Sequence, residues 1–186
     1  MKTFGVCAAL GSVMVLTACG GAGAPTKASI IAGLEATQLA VDVFDPTPVE
    51  DMPTEDTATY AGQAIFWDAD GPNPMTPEDA DFFATASATA NFGTGTMDGS
   101  ITNFRNNGDQ AIEGSMEFNN IDIIDNEFGG AVTGTLSAGG VDIEQQGVIG
   151  GDFLGPNAEA IAAQMLVSQV FEDDVLSNLE GGFVAN

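Results

Sequence analysis

Cys19 is the residue whose position predicts covalent chemistry. It ends the sequence Leu-Thr-Ala-Cys, residues 16–19, which closes a 13-residue apolar stretch that begins just after Lys2 and Thr3. A basic start, an apolar region too short to span a bilayer and small residues before the cut are typical of an export signal. Because a cysteine directly follows the cut, residues 1–18 are predicted to be a lipoprotein signal peptide that is cleaved after Ala18. An ordinary secretory signal that contains a cysteine is the alternative.

The predicted modification of Cys19 determines how the protein meets a membrane. Its thiol would take a diacylglycerol and its new amino group a further acyl chain, and two or more chains hold a protein at a membrane far more firmly than one. Gly20 is not an aspartate, so nothing argues for retention at the inner membrane. We therefore expect a lipid anchor in the outer membrane, with its periplasmic face and the cell surface both open.

The residue types that most catalytic and metal sites need are missing after Cys19. Cys7 leaves with the signal, and the chain contains no histidine. This excludes an internal disulfide, Cys/His zinc sites, Ser/His or Cys/His nucleophile pairs and haem ligation through histidine. No spacing among the 27 acidic residues singles out a pair of carboxylates for acid–base work. We expect a protein that is not an enzyme, with no catalytic residues, no metal site and no cofactor.

The charge of the chain excludes one class of partner. The net charge is −24, and loss of Lys2 with the signal leaves Lys27 and Arg105 against 27 acids. Such a chain is repelled by nucleic acid and by anionic lipid surfaces, so contact with the membrane must come through the acyl group. An acid-rich surface suited to salt is the simpler interpretation. An acidic patch directed at a basic partner is the alternative.

Three further groups of residues have both a chemical and a structural interpretation. Asp68–Asn73 resembles the start of a calcium loop, but Asn73 stands where a glycine is expected, which favours an acidic turn. Tyr60 could ligate haem iron, although a lone tyrosine on a strand is more often packed. Residues 172–174 are all acidic and favour a solvated charge run over a metal cluster or a partner patch.

Composition divides the chain after the signal into two parts. Residues 19–56 are predicted to be a lipidated tether and linker, because residues 20–27 are rich in Gly, Ala and Pro and residues 45–56 contain three prolines. A helix packed on the domain is predicted for the more apolar residues 29–44. Residues 57–186 are predicted to form a single domain.

Alternation of apolar and polar residues dominates the second part. It is typical of strands, and it recurs in seven runs, with an eighth near residues 121–124 or 141–143. Eight strands close a barrel whose interior side chains can fill, and glycine on the inner face fits its sharp bends. We predict an all-β fold: an eight-stranded antiparallel soluble barrel with its apolar face inward. A transmembrane pore is the alternative, against which the scarcity of Trp and Tyr argues.

Two short peripheral helices are predicted between strands. Thr76-Pro77-Glu78-Asp79 has a capping threonine, proline at the first helical position and acids in the first turn, and the helix is expected to end near Phe83. Residues 158–171 are rich in Ala, Gln, Met and Leu, which favour helix, and are expected to cover one end of the barrel.

Two sequence blocks carry a family resemblance. These are Ala90-Asn91-Phe92-Gly93-Thr94-Gly95 with Gly99-Ser100-Ile101, and Gly151-Asp152-Phe153-Leu154-Gly155-Pro156-Asn157-Ala158-Glu159 with the closing Gly182-Phe183. On the basis of these two blocks, residues 58–186 resemble the β-barrel domain shared by the lobes of transferrin-binding protein B and by related single-barrel bacterial surface lipoproteins. The chain departs from that family in two respects: it has no room for the handle domains, and a helical insert is expected at residues 164–178.

The resemblance implies an eight-stranded barrel, a lipid anchor in the outer membrane and the binding of a protein or an iron-related nutrient. We expect a ligand-binding lipoprotein that uses loops at one barrel end, with a TonB-type receptor as the partner if the ligand is a nutrient. The absence of handles argues against transferrin itself. A structural or adhesive envelope lipoprotein without a dedicated ligand is the alternative.

Overall fold

The computed structural model of the protein describes residues 24–71, 76–171 and 174–186, with the side chains of residues 171–176 excepted. Eight antiparallel strands form a closed barrel in which each strand pairs with the next and β8 pairs with β1. The strands are β1 (Thr57–Asp68), β2 (Phe82–Asn91), β3 (Thr96–Asn106), β4 (Glu113–Ile124), β5 (Glu127–Ala138), β6 (Val141–Leu154), β7 (Ala160–Phe171) and β8 (Asp174–Ala185). The all-β, eight-stranded fold class is therefore confirmed.

The apolar face of the strands points inward and fills the barrel. In β2, for example, Ala84, Ala86, Ala88 and Ala90 are buried, whereas Ser87 and Thr89 between them are exposed. The inward side chains form one continuous cluster that includes several large rings: Tyr60, Phe66, Phe104, Phe118, Phe128, Phe153 and Phe183. Closure leaves no unpaired strand edge, and burial of this cluster is the main favourable contribution to folding.

Inward glycines make room for the rings. A Cβ added to Gly99 would overlap the ring of Phe118, and one added to Gly181 would overlap the ring of Phe66. Both glycines also lie close to backbone oxygens of neighbouring strands. Glycine at these inward positions is therefore a requirement of packing, since a close-packed interior tolerates no extra atoms.

The predicted second helix is wrong, and so is the insert predicted at residues 164–178. Residues 160–171 form β7, which pairs along its length with β6 and β8. Ala, Gln, Met and Leu favour helix, but Ile161, Ala163, Met165 and Val167 point inward with the two-residue period of a strand. Pairing on both sides outweighs the local preference. Residues 121–124 and 141–143 belong to β4 and β6, so neither is a separate strand.

The predicted helix near Thr76 is shorter than expected. It is a single 3-10 turn, Pro77–Asp79, in which the Asp79 carboxylate accepts hydrogen bonds from the Thr76 backbone N–H and hydroxyl, both at 3.1 Å. Phe82 already starts β2, because it pairs with Phe66 of β1 and Asn106 of β3. The predicted start of the helix at Thr76 and Pro77 is correct, but the helix ends earlier than predicted because β2 begins at Phe82.

One α-helix, α1 (Lys27–Val41), lies against the outside of the barrel. It begins two residues before and ends three residues before the segment expected to be helical. Ile30 and Ile31 pack on Ala80 and Phe83, and Leu34 and Val41 are also buried. The helix touches β1, β2 and β8, so it covers the seam where the barrel closes.

The proline-rich segment expected as a linker contacts the barrel. We call residues 45–52 the strap. Pro46 forms an isolated bridge with Leu154, the Thr47 backbone N–H donates to Phe153 O at 2.8 Å, and Met52 packs against the core. A 3-10 turn at Val49–Asp51 is its only regular structure among the described residues. Prolines prevent a helix or a strand here, but they do not prevent packing.

The glycine requirement predicts a contrast between two substitutions. Gly99→Ala is expected to lower the free energy of unfolding by about 1–3 kcal/mol, because the new methyl group overlaps Phe118 and backbone. Gly150→Ala on the outer wall is the matched control, since no atom lies nearer than 3.7 Å to the added Cβ. It is expected to leave stability unchanged or to raise it slightly. Urea unfolding followed by circular dichroism measures both, and equal losses would contradict the packing argument.

Candidate ligand-binding surfaces

The inside of the barrel is packed with its own side chains. At the end reached by the carboxyl terminus, Phe153 packs against Phe92 and Phe128, with ring centroids 5.4 Å apart in each case, and against Tyr60 at 6.1 Å. The strap crosses the same end. A ligand that contacts this protein therefore meets its loops or its outer wall.

Tyr60 is part of this packing. Its ring is buried, and its hydroxyl donates a hydrogen bond to Ala158 O at 2.7 Å. Burial raises the pKa of Tyr60 from 10.0 to about 12, because the phenolate would lose its hydration. The hydroxyl that a haem iron would need is held inside the barrel wall, so the structure favours the packed interpretation of Tyr60.

The two cations outside the predicted signal act together at one end of the barrel. The Lys27 backbone N–H donates to Asp109 Oδ1 at 2.6 Å, and its ammonium donates to Asn107 Oδ1 and lies 4.6 Å from the centre of the Phe83 ring. Arg105 donates to Asp109 O at 3.0 Å and to Ala24 O at 3.4 Å. Both cations therefore fasten the start of α1 to the loop between β3 and β4.

These contacts give the barrel two distinguishable ends. The tether end carries the β1–β2, β3–β4, β5–β6 and β7–β8 connections and the start of α1. The far end carries the three remaining loops, residues 92–95, 125–126 and 155–159, together with the carboxyl terminus. At the far end the strap braces one loop, since Thr47 Oγ1 donates to Gly155 O at 2.6 Å and the Gly155 N–H donates to Asp45 O at 2.9 Å.

A groove of about 1090 Å³ crosses the outer wall beside α1. Its floor includes three outward-facing residues that lie opposite one another on neighbouring strands, Gly150 of β6, Gln164 of β7 and Gly182 of β8, and Gly129 of β5 extends this row beyond the groove lining. We call this row the trench. Three of its four positions have no side chain, which makes the row lower than the rows beside it. It ends against Ile65 of β1 and Leu34 of α1.

One bank of the trench is largely apolar. Val148 and Leu166 lie opposite each other on β6 and β7 and are 59% and 49% exposed. Glu180 and Trp67 continue this bank on β8 and β1. The indole N–H of Trp67 is buried and has no hydrogen-bond partner among the described residues.

The other bank carries two acids side by side. Glu127 of β5 and Asp152 of β6 lie directly opposite each other, and Ala162 and Val184 continue the bank on β7 and β8. Like charges directly opposite on neighbouring strands are unfavourable. No Lys or Arg lines the described groove.

The remaining candidates from the sequence fall as follows. Asp68 and Asp81 form an acidic turn, because the Asp68 carboxylate accepts from the Asp70 N–H at 2.9 Å and the Asp81 carboxylate from the Asp68 N–H at 3.0 Å. The rest of the calcium-loop candidate, residues 72–75, lies outside the described residues. The signal peptide, Cys19 and the acidic side chains of residues 172–174 lie outside them as well.

Across the part of the chain that is described, no group of three metal-ligating acidic or Cys side chains comes together. None of the described helices is long and apolar enough to cross a membrane.

The groove was not predicted from the sequence. The sequence does contain a trace of it, because Gly129, Gly150 and Gly182 are each adjacent in sequence to a second glycine, which faces the interior of the barrel. Strand pairing alone brings the three into one row.

The comparison with protein families identifies the barrel. The model of the C-lobe and N-lobe β-barrels of Tf-binding protein B matches residues 52–185. The chain belongs to this family. A comparison with curated proteins found no match.

Solved structures of two transferrin-binding protein B chains are similar to this chain. One is a double mutant of the vaccine antigen from Haemophilus parasuis Hp5, with 18% identity and a TM-score of 0.46, covering 76% of this chain and 27% of its own. The other is isotype 1 from serogroup B Neisseria meningitidis, with 20% identity and a TM-score of 0.47, covering 76% of this chain and 28% of its own. The chain thus matches only about a quarter of the length of either relative.

Tyr60 gives a pH-dependent prediction for the transferrin-binding protein B barrel. Tyr60→Phe is expected to cost about 1 kcal/mol at neutral pH, because the Ala158 carbonyl loses its donor. The pKa of Tyr60 is higher in the folded protein than in the unfolded chain. Its neutral hydroxyl therefore makes its full contribution to the free energy of unfolding below pH 10, and this contribution is lost as the pH rises toward 12. Over this range the free energy of unfolding of the unsubstituted protein should therefore fall by about 2 kcal/mol more than that of the variant. Urea unfolding of both proteins at neutral pH and at about pH 11.5 measures the difference. Parallel losses would contradict it.

Proposed function

We propose that the protein is a lipid-anchored binding module of the outer membrane that recognises a protein ligand through its far-end loops. The observation that supports a protein ligand over a small nutrient is the packed interior. Aromatic rings fill the volume that a small molecule would occupy in an open barrel. The family supports a binding role, and no catalytic role is proposed. An iron-carrying protein is the ligand class that the family name suggests, with a TonB-type receptor as the membrane partner.

The position of α1 favours the far end as the presented end. The first described residues, Ala24 to Thr26, lie at the tether end, where Arg105 binds Ala24 O. Cys19 precedes Ala24 by five residues, which reach at most about 18 Å when fully extended. A lipid on Cys19 would hold the tether end close to the bilayer, so the far-end loops would point away from it.

Hydrogen bonds brace two of the three far-end loops in the absence of a ligand. The strap braces the loop at residues 155–159, as described above, and the Asn91 side chain accepts from the Thr94 N–H at 3.1 Å in the loop between β2 and β3. A loop that is already fixed loses less conformational entropy on binding than a free one. The loop at residues 155–159 also holds the second half of the longer block that carries the family resemblance.

The anchor is tested by Cys19→Ala. This variant is expected to move from the membrane fraction to the soluble fraction of the exported material, because no acyl chain can form on alanine. Cys7→Ala is the matched control, since Cys7 lies inside the predicted signal, and it should stay with the membrane. Metabolic labelling with a radioactive fatty acid should mark the control and not Cys19→Ala. Firm membrane retention of unlabelled Cys19→Ala would contradict the anchor.

The far-end surface is tested by charge reversal at the two ends. Glu159→Lys lies at the far end and Glu113→Lys at the tether end, and both positions are exposed. The mature protein is placed in liposomes through its anchor and titrated with iron-loaded transferrin as the first probe. If that fails, the probe is the protein that cross-links to the far-end loops in cells. We expect saturable binding. Glu159→Lys should weaken it about tenfold and Glu113→Lys less than about twofold.

Two results would contradict the far-end proposal. One is equal weakening by both variants. The other is an absence of any saturable ligand together with envelope defects in a deletion strain, which would favour the structural alternative.

A further inference from the structure

We propose that the trench on the outer wall binds a basic, amphipathic segment of a partner protein. This surface lies on the outer wall, with its acidic bank next to the far-end loop at residues 125–126, and its occupant goes beyond the function proposed above. The proposal rests on three features of the groove: an exposed apolar bank, unbalanced carboxylates on both banks, and dimensions that fit a short helix.

The apolar bank would be covered by such a segment. Val148 and Leu166 are two of the largest exposed apolar side chains in the described barrel, and they stand together on neighbouring strands. Ile65 and Leu34 border the trench where it meets α1. Contiguous exposed apolar surface rimmed by polar groups is characteristic of interaction sites.

The carboxylates determine the charge of the occupant. Glu127 and Asp152 face each other across one strand pair, and Glu180 stands on the opposite bank. The described groove contains no cation, and Lys27 and Arg105 are both engaged at the loop between β3 and β4. A basic side chain between Glu127 and Asp152 would replace their repulsion with attraction. A second copy of this chain, with the same acidic excess, would add to the repulsion, and so would an anionic lipid surface.

The dimensions fit a helix of about ten residues. The trench crosses three strand spacings of about 4.8 Å, which gives a length of about 14 Å. The two banks are four residues apart along each strand, a separation of about 13 Å. A helix with its side chains is about 10 Å wide and rises about 1.5 Å per residue. Because Gly129, Gly150 and Gly182 lack side chains, such a helix can approach the sheet closely.

Trp67 offers a direct measurement of occupancy. It is the only tryptophan in the chain and it lines the groove. The mature protein is titrated with three synthetic helical peptides of about twelve residues that contain no tryptophan. One is leucine/lysine amphipathic, one is its leucine/glutamate analogue, and one is a serine/lysine peptide with the same charge as the first. Only the leucine/lysine peptide is expected to change the Trp67 emission saturably, and added salt should weaken it.

Paired variants locate the site. Gly150→Val partly fills the trench, where an added Cβ meets no atom nearer than 3.7 Å, and Ser87→Val places a valine at an exposed position on the opposite wall. Glu127→Gln with Asp152→Asn removes the paired charge, and Glu113→Gln with Glu117→Gln on β4 removes the same number of charges elsewhere on the barrel. The trench variants are expected to weaken the leucine/lysine peptide about tenfold and the controls less than about twofold. Circular dichroism checks that each variant is folded.

Three outcomes would overturn the proposal. The first is that the serine/lysine peptide binds as tightly as the leucine/lysine peptide, which would mean general attraction to an acidic protein. The second is that the control variants weaken binding as much as the trench variants do. The third is that no peptide changes the Trp67 emission saturably. Gly150→Val distinguishes this proposal from the far-end function, because it should weaken peptide binding while it leaves binding of the far-end ligand unchanged.

Discussion

Closure of the barrel around aromatic rings is the constraint on which the rest of the structure depends. Eight strands leave an interior only wide enough for side chains. Large rings therefore need glycine opposite them, as Phe118 needs Gly99 and Phe66 needs Gly181. The seam between β1 and β8 has the same requirement, because a Cβ on Gly62 would overlap the backbone of β8. The inward glycines of these strands are thus a consequence of the filled, closed interior.

A filled interior leaves binding to the exterior of the barrel, and the charge of the chain then decides which partners are suitable. The structure uses Lys27 and Arg105 to fasten α1 to the tether end. The described outer wall and far end are consequently left with acidic, uncharged polar and apolar side chains and no cation. Electrostatic attraction to a basic partner raises the association rate and sets the orientation of docking, and the apolar contacts then hold the complex. The same acidity keeps the barrel away from an anionic membrane surface to which a lipid would tether it.

The fold could be predicted from the sequence wherever local pattern and tertiary pairing agree. In β2 the alternation of alanine with serine and threonine determines both the strand and its inward face. In β7 they disagree: Ala, Gln, Met and Leu favour helix locally, and pairing with β6 on one side and β8 on the other makes residues 160–171 a strand. The strap was missed for a related reason, since its contacts with Phe153 and Gly155 join residues about a hundred positions apart. The groove needs the register of four strand pairs at once, and no local pattern contains that.

The inward and outward glycines have different physical explanations, and the difference bears on function. Gly99 and Gly181 lie beneath rings, so packing accounts for them. Gly182 lies against the Ala163 carbonyl, so the backbone accounts for it. Gly129 and Gly150 face outward with nothing closer than ordinary van der Waals contact, and neither has the positive φ that favours glycine. Glycine inside a strand weakens it, because it adds entropy to the unfolded chain and contributes no packing. At these two positions no contact inside the fold requires glycine, and the absence of side chains lowers the floor of the trench between Val148 and Asp152. A low floor lets the helix proposed for the trench approach the sheet closely, so the glycines that weaken the strands would strengthen that contact.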